Sequence, residues 1–272
     1  MDWNDFSYDE PAEKRRPDEY VISARDRLKA FFEKNNARVF FGNQLAVQNE
    51  DSFFHWVTYR AIGELIAEGI VKTESRQLNF GGQIKLLWHR SHRYYKRDAK
   101  KVISLVEEYG SPNIGAALGL HGEQMVLGGF ARRQFVLRGH NTKRHMDKEW
   151  TKSNHNIDFI FERDNTAYGV EVKNTLSYMD QAEFATKMEL CENLGVVPVF
   201  VTRMMPKTWA KDLIDRGGYA MILKYQLYPW THAELAKRVA NELGLPVDAP
   251  RMLAEGTMDR FVNWHEKRRL RR

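Results

Sequence analysis

The chain has a single cysteine, Cys191, and only 8 prolines among 272 residues. One cysteine excludes an internal disulfide framework and every zinc site built on two or more thiolates, and it fits a reducing compartment. No run approaches the roughly 18 consecutive apolar residues of a membrane span. The opening Met1-Asp2-Trp3-Asn4-Asp5 lacks the basic and apolar regions of a signal peptide, so a cytoplasmic protein is expected. A Walker A sequence is missing, and with it any recognisable NTP-driven motor. Internal repeats and low-complexity tracts are also absent. Against these absences, 43% hydrophobic and 12% aromatic residues are enough for a sizeable core, and the length suits one large domain or two ordinary ones.

The charge is unevenly spread. A net +6 with a pI near 9.2 points to a polyanionic partner only where bases cluster, and here they do. Residues 1 to 20 hold seven acids against three bases, whereas residues 84 to 101 hold seven bases against the single Asp98. A second basic stretch, 131 to 152, sets seven bases against Asp147 and Glu149, and the chain ends Lys267-Arg268-Arg269-Leu270-Arg271-Arg272. Nucleic acid, duplex DNA first, is the expected partner.

Residues 1–18, acidic and interrupted by Pro11 and Pro17, are expected to form a flexible arm. From Val21 a helical period (Ile22, Leu28, Phe31, Phe32) runs to about Lys34, stopped by Asn35-Asn36. Val39-Phe40-Phe41 is a short apolar run, followed by a brief helix ending near Gln48. Asp51 or Ser52 is expected to cap a longer helix through Ile66, closed by Gly69. Ile70–Glu74 and Gln83–Trp88 read as strands around the loop Asn79-Phe80-Gly81-Gly82. Three helices followed by a hairpin is the order of a winged helix. The phrase Ala61-Ile62-Gly63-Glu64-Leu65-Ile66-Ala67-Glu68-Gly69-Ile70-Val71 resembles the recognition-helix exit of winged-helix domains. That resemblance, over residues 19–90, implies a helix from Ser52 to Glu68 in the major groove. Arg60, its only base, is expected to contact nucleic acid, with Lys85, Arg90, Arg93, Lys96 and Arg97 on phosphates. Residues 91–111 form an expected basic connecting helix.

The chemistry is concentrated in Asn156-Ile157-Asp158-Phe159-Ile160-Phe161-Glu162 and Ala167-Tyr168-Gly169-Val170-Glu171-Val172-Lys173-Asn174, joined through Asp164-Asn165. Both flanks alternate and the junction has turn chemistry, so a β-hairpin is expected. Glu171 and Lys173 then share one face of their strand, opposite Val170 and Val172. With the apolar side chains against helices, two carboxylates and an ammonium meet on the other face. Two hard oxygen ligands suit Mg²⁺ with its waters retained, and a neighbouring lysine can orient or deprotonate an attacking water.

This segment resembles the catalytic hairpin of the PD-(D/E)xK nuclease superfamily, with Asp158, Glu171 and Lys173 matching its acids and lysine and 12 residues between the acids. Ile157 stands where the motif has proline. Upstream, Gly119–Phe130 with Gln134-Phe135-Val136-Leu137 resembles the family's first helix and strand, and Glu123 matches a helix glutamate aimed at the metals. Downstream, a helix from Tyr178 to Leu194 ending at Gly195, then the strand Val196–Val201, completes the order αβββαβ. Lys187 falls where relatives place a basic or amide residue facing the site. The layout is also similar to modification-dependent restriction enzymes of the Mrr type and to archaeal Holliday-junction resolvases.

The expected fold is therefore α/β: an N-terminal winged helix-turn-helix, then over residues 112–272 a restriction endonuclease-like αβββαβ core with a mixed sheet and a C-terminal helical extension. The resemblance implies an Mg²⁺- or Mn²⁺-dependent endodeoxyribonuclease, with metal held by Asp158, Glu171, Glu123 and the carbonyl of Val172, and with a homodimer suited to a duplex. The alternatives are a non-catalytic DNA-binding regulator on a degenerate nuclease fold and an RNA nuclease.

The polar loop 138–156 is expected to touch phosphates, through Lys143 and Arg144 in particular. Its histidines, His140, His145 and His155, match no helical two-histidine metal motif. His121-Gly122-Glu123 opens like a zinc deaminase but lacks the cysteine pair. Cys191 reads as a buried apolar residue, Met204-Met205 as packing, and helices are expected over Ala233–Leu243 and Met258–Lys267.

Overall fold

The computed structural model describes residues 18–270. The acidic arm expected over 1–18, Asp18 aside, lies outside the described residues, as do Arg271 and Arg272. The chain forms two compact units, Met1–Gly115 with Lys237–Leu245, and Ala116–Ala236 with Pro246–Arg272. The class is mixed α/β, and the larger sheet is itself mixed.

In the first unit the order is α1 (Glu19–Lys34), β1 (Val39–Phe41), α2 (Gly42–Gln48), α3 (His55–Ala67), β2 (Val71–Gln77), β3 (Gln83–His89) and α4 (Tyr95–Tyr109). Asp18 caps α1 by accepting from the Tyr20 amide, and Val21, Ala24, Leu28 and Phe32 recur along its buried face. The Asn35 side chain closes the helix on the Phe31 carbonyl. These residues meet Phe40, Leu45, Ala61 and Leu65 in one core.

Helix α3 starts later than its sequence suggests. The Ser52 amide donates to the Asn49 carbonyl in a turn after α2, and its hydroxyl accepts from Arg27, so Phe54 takes the N-cap without a side-chain bond. Gly69, at φ 70°, closes the helix as expected. The strands also differ from expectation, since β1 pairs with β3 and makes a three-stranded sheet of order β1-β3-β2.

The second unit follows with α5 (Pro112–Arg132), β4 (Val136–Thr142), β5 (Arg144–His145), β6 (Lys148–Glu149), β7 (Ile157–Arg163), β8 (Thr166–Lys173), α6 (Gln181–Leu194), β9 (Val197–Thr202), α7 (Lys207–Asp215), β10 (Tyr219–Ile222) and β11 (Gln226–Leu227). It ends with β12 (Val247–Asp248) and α9 (Glu255–Arg269); between β11 and β12 lies α8 (Ala233–Leu243), whose last turns belong to the first unit.

The sheet order is β10-β9-β8-β7-β4, antiparallel on the β4 side and parallel from β8 to β10. Asp164 and Asn165, at φ 50° and 56°, form the two-residue turn between β7 and β8. Phe159, Phe161, Tyr168 and Val170 pack on one side with Phe130 of α5 and Phe261 of α9. On the other side Ile160 meets Leu190, Cys191 and Leu194 of α6. The expected loop 138–156 is partly ordered: β4 pairs with β7 as far as Thr142, and β5 and β6 form a small hairpin. Trp150 anchors the stretch between β6 and β7, buried with its indole N–H on Ser153.

Among the described residues no helix is long and apolar enough to cross a membrane. Phe161 is fully buried and stacks on Phe130 at 4.5 Å between centroids. Phe161→Ala is expected to cost the second unit about 3–5 kcal/mol in urea unfolding followed by tryptophan fluorescence; a loss below about 1 kcal/mol would refute this core assignment.

Candidate functional site

Gly169 determines how close α6 comes to the hairpin. A Cβ there would lie 2.8 Å from Cys191 Sγ and 2.7 Å from Val196 Cγ2, so only glycine lets the helix settle on this face. The charged face expected to be open is therefore covered. Glu171 is 3% exposed and Lys187, from α6, is 4% exposed. Lys187 Nζ donates to Glu171 Oε2 at 2.7 Å and to the Asn156 carbonyl at 2.6 Å. Asp158 Oδ2 accepts from the Val172 amide at 2.8 Å. Val172 thus enters the site through its N–H.

Burial, with the nearby Asp158 charge added to it, pushes the Glu171 carboxyl up to about 8 against the pull of Lys187 and Lys173. Burial also raises Asp158, partly offset by its bond from Val172. For Lys173 burial opposes the charge, but Glu183, whose Oε1 lies 2.8 Å from Nζ, and then Glu171 and Asp158 hold its ammonium above the ordinary lysine value. Glu123, on α5, faces His140 Nε2 at 3.7 Å. His140 in turn stacks on Phe159. Cys191 is buried and its thiol is pushed up by that burial, so it is no ready thiolate.

Sequence reasoning missed Asn174. Its amide donates to the carbonyls of Leu118 and Leu227 at 2.8 and 2.7 Å, and its oxygen accepts from the Leu227 amide. A Cβ at Gly122 would lie 2.7 Å from the Asn174 Cβ. One side chain therefore ties α5, which carries Glu123, and β11 to the end of β8, which carries Lys173. Its position directly after Glu-x-Lys was the available signal.

The residues expected to meet nucleic acid are placed unequally. Arg60, Lys85, Arg90, Arg93, Lys96 and Arg97 are all exposed in the first unit, with Arg60 lying 5.8 Å from the Trp56 ring. In the second unit Arg144 is exposed but paired with Glu149 at 2.8 Å, and Lys143 reaches Asn154 at 3.3 Å. Lys187 is not placed to meet a phosphate, because its ammonium is buried and committed to Glu171 and Asn156.

Among the described residues, the three ligand-type side chains whose donor atoms gather within 4.8 Å are Asp164, His265 and Glu266, not Asp158, Glu171 and Glu123. There Arg163 and Arg269 already compensate the acids, and His265 is held between Tyr168 and Asp164.

No family model matches the chain, and no solved structure matches it significantly. Part of the chain is similar to ribosomal protein uS12 methylthiotransferases named RimO. The protein of Alteromonas mediterranea is 31% identical over 111 residues, 40% of this chain and 21% of its own length. That of Pseudomonas syringae pv. tomato is 31% identical over 116 residues, 40% of this chain and 24% of its own, and that of Pseudomonas fluorescens 30% over 110, 39% and 23%. The chain thus spans about a quarter or less of the curated relatives it matches.

These relatives are enzymes, but of group transfer. Their likeness overturns the expected DNA-cutting endonuclease, its DNA-binding and RNA-nuclease alternatives, and the expected Mg²⁺ or Mn²⁺. The donor set points the same way, since Glu171 Oε2 is already taken by the Lys187 ammonium.

A carboxyl raised on folding binds protons in the folded chain that the unfolded chain has released, so its contribution to stability falls as pH rises from the ordinary 4.5 to about 8. Wild type is expected to lose stability across that window relative to Glu171→Gln and to level off above it. Parallel pH–stability curves for the two proteins in urea would refute this.

Proposed function

We propose that the chain is an enzyme acting on a protein component of a ribonucleoprotein, with a winged-helix first unit that lies on structured RNA and a second unit that supplies an acid–base site. The observation that carries the reading is the convergence of Asp158, Glu171, Lys173 and Lys187 on one face of the β7–β8 hairpin. A carboxyl titrating near neutrality beside an ammonium is suited to taking and returning one proton in a group transfer. In this reading Glu171, its proton affinity set by burial and then by Asp158 and Lys187, exchanges its proton through the half-buried Asp158, and Lys173 and Glu123 face the substrate.

Several features support the fold side of the proposal. Three helices lead into an antiparallel sheet in the first unit, and α5-β4-β7-β8-α6-β9 follows the αβββαβ order of the PD-(D/E)xK superfamily. The substrate class is supported by the target in the relatives' name, a ribosomal protein, and by the exposed bases Arg93, Lys96 and Arg97. Methylthio chemistry is not carried over, because the one cysteine is buried and held as a thiol.

The test mixes the purified protein with ribosomal subunits and the small-molecule fraction of a cell extract as the source of the transferred group, measuring binding across a salt series and intact masses of the ribosomal proteins. The Arg93→Ala/Lys96→Ala/Arg97→Ala variant should bind about tenfold more weakly with a shallower salt slope. Glu171→Gln should bind as wild type does and lose the mass change. Wild type that binds nothing, or that breaks RNA strands while every protein mass stays unaltered, would overturn the proposal.

A further inference from the structure

We infer that Tyr94 is a stacking platform for an unpaired nucleobase of RNA, with the cations around it on the flanking phosphates; this rests on the RNA-bearing role proposed for the first unit. The stretch 90–101 carries six cations, Arg90, Arg93, Lys96, Arg97, Lys100 and Lys101, and all six side chains are exposed. Its one acid, Asp98, has Oδ2 3.0 Å from His92 Nε2 and Oδ1 3.7 Å from Arg97 Nε. Glu107 and Glu108, roughly 15 Å further along α4, are taken by the Asn79 amide and by Arg238. Glu68, just before the Ile70 carbonyl that receives the Arg90 amide, is paired with Arg25. The positive charge at the start of α4 is therefore a true surplus, six cations against one acid, and it complements a polyanion.

Charge alone does not account for the tyrosine among these cations. Tyr94 has 75% of its surface exposed, so the core does not hold it there. The turn that presents it is nonetheless firmly tied. The Arg90 amide donates to the Ile70 carbonyl at 2.9 Å, His92 is buried against Asp98, and Tyr95 stacks on the buried Trp88 with centroids 4.1 Å apart and rings 6° from parallel. An aromatic face on an ordered support costs little entropy to engage.

An exposed ring set among cations is the combination that receives a nucleobase on the ring and its phosphates on the cations. Inside a paired stem both faces of every base are already covered by its neighbours. The occupant is therefore an unpaired nucleotide, in a loop or a bulge, where RNA offers free base faces. An anionic lipid surface would match the charge but has no flat ring to lay on Tyr94.

The test measures binding of the full chain across a salt series to two RNAs with equal numbers of phosphates, a blunt duplex and a hairpin whose adenine loop carries one 2-aminopurine. Wild type and Tyr94→Phe should prefer the hairpin and quench the 2-aminopurine. Tyr94→Ala should bind the hairpin about tenfold more weakly and without quenching, while its duplex affinity and its salt slope stay those of wild type. Lys96→Ala/Arg97→Ala should instead weaken both RNAs and flatten the slope. Equal binding of the two RNAs by wild type, or a Tyr94→Ala loss that is absent or the same on both, overturns the platform and leaves the RNA-bearing role standing. Failure of wild type to bind either RNA overturns both.

Discussion

The second unit depends on one buried polar contact, the Lys187 ammonium on the Glu171 carboxyl. The two lie where α6 closes on the sheet, and burial makes the carboxyl hold its proton up to about pH 8. A buried ammonium left without an acceptor costs several kcal/mol, so α6 can settle on this face only with Lys187 bonded. Asn156 takes the remaining reach of the ammonium, and the Val172 amide takes the free lobe of Asp158. The site is thus a polar seam inside the α6 interface, and its unusual proton affinity at Glu171 follows from that burial.

Much of the fold was legible because the local signals agreed with one another. Asp164-Asn165 between two alternating runs specified the central hairpin, and Gly195, at φ 70°, ended α6 where its pattern stopped. What escaped was decided by pairing at a distance. Nothing local in Val39-Phe40-Phe41 names β3 as its partner, and nothing in Ser52 reveals that Arg27, 25 residues earlier, will take its hydroxyl. The expected first strand stopped at Leu137 because the residues beyond it are polar, yet edge pairing with β7 asks for no apolar side chains on the exposed face.

The site was legible as a list and illegible as an environment. Alternation put Asp158, Glu171 and Lys173 on one face, but an amphipathic hairpin reads the same whether that face meets water or a helix. Gly169 was the residue that discriminated, since a glycine between Tyr168 and Val170 permits the close approach of Cys191. With α6 seated there, Lys187 becomes an internal counter-charge and not a contact for phosphate. The names of the partly similar curated proteins do not fit the reaction expected of that triad, which shows how loosely a charged triad specifies a reaction.

The first unit is made of two separated stretches of chain. The Gln44 and Gln48 amides both donate to the Leu243 carbonyl at 2.7 Å, and Gln44 is fully buried. On a translating ribosome that acceptor emerges only after all of residues 116–236 have been made. At ~5–20 residues per second the wait is on the order of ten seconds, during which a buried amide has no partner. The first unit is therefore begun before the second and closed only after residues 116–236 have been made.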